Sequence, residues 1–264
     1  MHPIALAVLL LQPPPAEMVQ SEVITKSATY KPGVPVTVAL KLTLDEAWHV
    51  YWRNPGDSGV GTEVKWALPK GWKAGPLRFP TPERINLGIG YGYSFGYENE
   101  VVFLAHLTPP ANASGPAKIS AEMSLLACKT DCVPADQSFS FTLQRGNGNP
   151  VAQAQFEAWG KKMPVQVPVE QIKATMKDKK YFLTIPGNPH LTGAVSLDFF
   201  PGVAGQATTD KPSHVTKNRD GTWSLIVPAG QAINTLPKEV PFLVIPLDKE
   251  GHQLNQGVEF VPSS

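Results

Sequence analysis

The chain has 264 residues, 42% of them hydrophobic and 17% charged, which is enough apolar content to bury a core and too little charge for a disordered chain. Its 23 Lys+Arg stand against 22 Asp+Glu, a formal net charge of +1 with no long run of either sign. That balance excludes an electrostatic case for nucleic acid or an anionic membrane as partner. The 27 Pro and 22 Gly are scattered through many short β-type runs, the mark of an all-β protein with frequent turns.

In chain order, Met1-His2-Pro3 precedes an apolar run from Ile4 to Leu11. The run is too short to cross a bilayer, which takes about 20 residues, and fits the central region of a secretory signal peptide over residues 1–17. Ala16 is the candidate cleavage position, although the run lacks a preceding Lys or Arg and Pro14 suits that site poorly. Export to the periplasm is expected, with no transmembrane segment in the mature chain. From Val19 to Leu44 two strands are predicted. Val34, Val36, Val38, Leu40, Leu42 and Leu44 alternate with polar or small residues, the period of a half-buried strand. Ala47 to Trp52 is a strand dense in aromatics, and Arg53-Asn54-Pro55-Gly56-Asp57-Ser58-Gly59 is an ordered turn. Strands follow at Glu63–Leu68, Val101–Leu107, Ile119–Leu125 and Phe139–Leu143. Spacing of this kind predicts an immunoglobulin-like β-sandwich over residues 18–146. A linker over 147–164 carries the one convincing helix, Val151 to Lys162, with Ala152, Gln155, Phe156 and Trp159 on one face. Strands resume to form a second, smaller β-sandwich domain over 165–264.

The only two cysteines, Cys128 and Cys132, lie four apart at the end of a predicted strand. Such a pair can be a structural disulfide, a redox-active disulfide or half of a metal site. A structural staple is ordinary in exported proteins. Closing a ring of about five residues, however, removes little chain entropy, roughly 2 kcal/mol, and a domain of this size has small need of it. Those arguments leave the structural and redox readings balanced. A metal reading needs further ligands: His49, His106 and Met123 share the same half and would complete a soft Cu(I) site with two thiolates. No His or Cys lies within the local loop, and no bound metal or cofactor is expected. Lys129 favours a thiolate at its neighbour Cys128, and Asp131 disfavours one at Cys132.

In Gly90-Tyr91-Gly92-Tyr93-Ser94-Phe95-Gly96-Tyr97, rings alternate with Gly or Ser, so an extended backbone turns every ring to one face. The strip reads either as an aromatic core strand or as a Gly-hinged flap over a reactive site.

Several ordered motifs resemble a known family. They are Tyr51-Trp52-Arg53-Asn54-Pro55-Gly56-Asp57-Ser58-Gly59, Trp66-x-Leu68-Pro69-x-Gly71-Trp72, Phe79-Pro80-Thr81-Pro82-Glu83-Arg84, Tyr91-Gly92-Tyr93 and Cys128-Lys129-x-x-Cys132-Val133-Pro134. Together they resemble the N-terminal periplasmic domain of DsbD-like thiol:disulfide interchange proteins, most closely the ScsB-type branch linked to copper tolerance. The resemblance covers residues 20–145 well and the second domain more weakly. It implies an immunoglobulin-like domain whose pair relays reducing equivalents from a membrane-embedded electron donor protein to exported, disulfide-containing client proteins. It implies Cys132 as the attacking thiolate and Cys128 as the resolving residue, and a shielding cap that maps onto Phe95 and Tyr97, with Tyr93 beside them. The alternative expectation is a non-catalytic sandwich that binds copper or a partner protein, its cysteines structural or ligating. Two departures stand out. The membrane and thioredoxin-like domains of full family members are not in this sequence, so electrons are expected from a separate protein. The acidic residues that precede the family's cap ring are here Tyr93 and Ser94.

Overall fold

The computed structural model describes residues 18–88, 92–210 and 212–262. The expected signal peptide therefore lies outside the described residues, as does the start of the aromatic strip through Tyr91. The first half contains β1 (Val19–Thr25), β2 (Thr29–Tyr30), β3 (Val36–Leu44), β4 (His49–Gly56), β5 (Glu63–Ala67), β6 (Lys73–Ala74) and β7 (Glu83–Asn86). It continues with β8 (Tyr93–Glu98), β9 (Glu100–Thr108), β10 (Ala117–Ser124), β11 (Leu126–Cys128), β12 (Cys132–Pro134) and β13 (Gln137–Arg145). After α1 (Gln153–Gly160) come β14 (Val165–Pro168), β15 (Lys173–Lys177), β16 (Lys180–Ile185), β17 (Ser196–Pro201), β18 (His214–Lys217), β19 (Trp223–Pro228), β20 (Phe242–Leu247) and β21 (Val258–Val261).

The first half is an immunoglobulin-like arrangement of three sheets, ordered β1-β3-β9-β6, β2-β13-β10-β5 and β12-β11-β4-β8-β7. Alternation builds its core. Val38, Leu40 and Leu42 of β3 meet Val101, Phe103 and Leu107 of β9, and Ile119, Ala121 and Met123 of β10 close it from the other side. Val34 stands apart from the expected pattern. It is 45% exposed because the Lys31–Val34 turn, closed by Val34 N–H donating to the Lys31 carbonyl at 3.1 Å, ends before β3 begins. The segment Val19–Leu44 also holds three strands rather than two.

The opposite face of β3 and β9 is apolar too, at Ala39, Val102 and Leu104. That face needs a cover, and α1 supplies it with Phe156 and Trp159, followed by Met163. The helix is shorter than its sequence pattern. Ala152 packs at its edge and Gln155 is exposed, so the apolar stripe is only two large residues wide.

The second half is a two-sheet sandwich, β14-β21-β20-β17 against β15-β16-β19-β18. Its core holds Tyr181, Phe199, Trp223, Phe242 and Phe260. The two halves are not separated by solvent. Phe200, Leu243 and Ile245 belong to the first half's core, and the Phe200 ring lies edge-on to Trp52 and Phe95, with centroids at 6.4 and 4.9 Å.

Candidate redox site

β11 and β12 form a tight hairpin across Lys129-Thr130-Asp131, in which Lys129 N–H donates to the Asp131 carbonyl at 3.2 Å. Cys128 and Cys132 are direct cross-strand partners, and a disulfide joins them with a Cα–Cα separation of 4.1 Å. Direct opposition is the register that brings two Cβ atoms close enough for an S–S bond. The two sulfurs are not equivalent. Cys128 is 2% exposed, whereas Cys132 lies on the exposed edge strand of its sheet.

β11 pairs on its other side with β4, Ala127 opposite Val50 and Cys128 opposite His49. Residues opposed in a ladder share a face, and successive residues alternate. Ala127, Val50 and Trp52 therefore point into the core, and Cys128, His49 and Tyr51 point away from it. Tyr51 uses that geometry. Its hydroxyl donates to Cys128 Sγ at 2.8 Å and lies 3.6 Å from Cys132 Sγ.

Tyr51 is nevertheless 1% exposed, because the turn after β4 folds back over it. Gly59, at φ +99°, lies flat on the ring, and a Cβ there would sit 2.3 Å from Tyr51 ring atoms. Thr62 Oγ1 donates to the Tyr51 carbonyl at 2.7 Å, and Ser94 Oγ to the Ser58 carbonyl at 3.2 Å. Burial raises the Tyr51 phenol above its ordinary pKa, with the Ser94 hydroxyl pulling the other way. The phenol thus stays a proton donor toward sulfur. His49 packs edge-on against Tyr51, ring centroids 5.3 Å apart. Burial holds His49 below its usual pKa, opposed by the charge of Glu98 across the ladder, and its Nε2 has no hydrogen-bond partner.

The expected cap is placed elsewhere. In β8, Tyr97 is opposite Val50, so Tyr93, Phe95 and Tyr97 share the core-facing side while Ser94, Gly96 and Glu98 share the disulfide's side. Phe95 is fully buried against Trp52 and Phe200, and the Tyr97 hydroxyl donates to the Pro80 carbonyl at 2.8 Å. Tyr93 is half-buried beneath the Arg84 guanidinium. The ring at the sulfurs is instead Tyr51, and the backbone laid over that ring is that of Gly59. Their signal was present in the segment Trp48–Trp52, which carries aromatic side chains on both of its faces. Of the residues weighed as metal ligands, only His49 lies beside the pair. Met123 is in the core and His106 hydrogen-bonds Thr37 on the β9 side. Among the described residues, no cluster of three or more His, Cys, Asp or Glu could hold a metal ion.

The model of the N-terminal part of thiol:disulfide interchange protein DsbD matches residues 15–144. Among solved structures, the N-terminal periplasmic domain of ScsB from Proteus mirabilis is similar over 96% of this chain and 97% of its own, at 17% identity and a TM-score of 0.62. The DsbD N-terminal domain of Neisseria meningitidis, in its reduced form, matches 52% of this chain and 92% of its own, at 16% identity and a TM-score of 0.32. No curated protein matches the chain. No helix among the described residues is long and apolar enough to cross a membrane. The family match, which takes in β1 to β12 and all but the last residue of β13, with the disulfide hairpin among them, makes residues 15–144 a DsbD-like N-terminal domain of the thiol–disulfide interchange family.

Proposed function

We propose that this protein is an exported thiol–disulfide interchange protein that relays reducing equivalents through Cys128 and Cys132. The observation that carries the reading is the asymmetry of the disulfide, one cysteine exposed on an edge strand and the other buried under a tyrosine hydroxyl. In the charging direction, a donor thiolate attacks the exposed Cys132 Sγ. The Sγ–Sγ bond breaks, Cys128 leaves as a thiolate beneath the Tyr51 hydroxyl, and a mixed disulfide joins the donor to Cys132. The donor's second thiolate then attacks its own bridging sulfur and releases Cys132. The donor ends as a disulfide, and the pair ends as a dithiol with two electrons and two protons gained. In the discharging direction Cys132 attacks a client disulfide, Cys128 resolves the mixed disulfide, and the client departs as a dithiol. A membrane-embedded donor, exported clients and a periplasmic location are supported by the family match and by likeness to a periplasmic domain.

Trapping tests the division of roles. Cys128→Ser, which keeps the attacking thiol and removes the resolving one, should accumulate mixed disulfides with exported proteins through Cys132. Cys132→Ser should accumulate few. Equal trapping by both variants would overturn the assignment.

A further inference from the structure

We infer that the second β-sandwich is a brace for the redox site, holding the turn that keeps Tyr51 on the disulfide; the inference rests on the interchange reading above. The end of β4, Arg53-Asn54-Pro55-Gly56, runs into Asp57, and the chain reaches Gly59 on the Tyr51 ring two residues later. Its polar side chains bond across to the second half. Arg53 pairs with Glu259, which is 5% exposed on its side chain. Asn54, 2% exposed, donates through Nδ2 to the Pro201 carbonyl at 2.7 Å and accepts from Gly56 N–H at 3.1 Å. Asp57 Oδ2 accepts from Thr209 Oγ1 at 2.5 Å and from Tyr93 N–H at 2.9 Å.

Thr209 is itself fixed, because Arg84 donates to its carbonyl. One carboxylate oxygen thus receives a hydroxyl from the second half and an amide from β8 of the first, and Gly92 at φ +78° leaves the space for it. Arg53 and Asn54 at the end of β4 and Asp57 at the start of the turn are thus all tied to the second half. β8 holds the same turn through the Asp57 N–H on the Tyr93 carbonyl and Ser94 Oγ on the Ser58 carbonyl, and the cross-half anchors add to these, so the position of Gly59, and with it the Tyr51 hydroxyl, responds to the second half. Thr209 is a positioning residue for the reaction and acts through Tyr51.

Reduction of the oxidised full chain by dithiothreitol, followed by thiol labelling, tests this. The reagent's two thiols become a cyclic disulfide and the Cys128–Cys132 bond becomes a dithiol. Thr209→Val should slow reduction about fivefold, the size of a lost hydrogen bond felt through Tyr51. Thr209→Ser should restore the wild-type rate. In a Tyr51→Phe background Thr209→Val should have no further effect, since coupled residues are non-additive. A Thr209→Val rate equal to or above wild type, or an undiminished effect in the Tyr51→Phe background, overturns the brace. If Thr209→Val fails to fold, Glu259→Gln carries the same expectations. Amide exchange over residues 57–62 of the oxidised proteins reads the brace without the chemistry. Faster exchange in Thr209→Val supports it and unchanged exchange overturns it. That holds even if the wild-type disulfide resists dithiothreitol, a result that would remove the interchange reading instead.

Discussion

At the scale of single residues, Tyr51 decides what the buried sulfur can do. A thiolate taken out of water is costly unless a donor meets it, and the Tyr51 hydroxyl already points at Cys128 Sγ from 2.8 Å. Tyr51→Phe removes only that donor. It should slow reduction of the disulfide about tenfold and raise the pH at which Cys128 becomes alkylable, as rates of iodoacetamide labelling against pH would show. His49 makes a different prediction. Burial holds its folded pKa below the ordinary 6.5, so the unfolded chain binds the proton more readily. Its contribution is present above pH 6.5 and is lost as pH falls from there through the lowered folded value. His106, exposed on β9, is lowered as well, by partial desolvation of its ring and by the charges of Arg78 and Lys26, and adds in the same direction. His49→Gln should therefore flatten, without abolishing, the loss of stability below pH 6.5 in denaturant titrations. The roles of these two residues were only partly legible in the sequence. Tyr51 stood within a motif of the resemblance, yet its role depends on which face of β4 meets Cys128. That register is set by pairing with β11, far along the chain.

At the scale of elements, the site is a short hairpin on a sheet edge, a neighbouring strand that supplies Tyr51, and a turn that covers it. The strands were readable because large apolar residues alternate regularly in β3, β10 and β13, even though β3 is also buried at Ala39 on its other face. The cap was harder to read. The alternation in Tyr93–Tyr97 correctly puts the rings on one face, but alternation alone cannot say whether that face is core or site. Pairing of Tyr97 with Val50 settles it as core. The Asn-Pro and Pro-Gly steps suggested a turn from Arg53 to Gly59, whereas β4 runs on through Gly56 with an irregular register and the chain turns only after it, as a lid over Tyr51. Gly59 tests that lid. Gly59→Ala puts a methyl group into the Tyr51 ring at a positive φ, which should cost about 1–3 kcal/mol in unfolding free energy. It should also displace the phenol, visible as a change in near-ultraviolet tyrosine dichroism. A melting curve and spectrum unchanged from wild type would contradict the packing.

At the scale of the whole molecule, the halves share a boundary that is both apolar and ionic. Arg84 crosses it with its side chain 9% exposed, donating to Asp198 Oδ1 at 3.1 Å and to the Phe199 carbonyl at 2.8 Å. Its guanidinium also lies over the Phe95 and Phe200 rings, 5.1 and 4.9 Å from their centroids. Removing one member of a buried pair strands the other, so Arg84→Ala should cost about 3–5 kcal/mol in equilibrium unfolding. Arg84→Lys should recover only part of it, because an ammonium cannot reproduce the fork and the stacking. That two β-sandwiches follow one another was legible from strand spacing. That the second carries the far side of the first half's core was not, since Phe200, Leu243 and Ile245 look like ordinary members of their own strands.

Interchange requires Cys128 and Cys132 to cycle between disulfide and dithiol. Equilibrating the full chain against glutathione buffers of graded ratio, and counting free thiols at each, measures this directly. One reversible two-electron transition is expected inside the range of exported redox couples, between zero thiols and two. A pair that stays oxidised across that whole range would show the disulfide to be a structural staple and would rule out interchange.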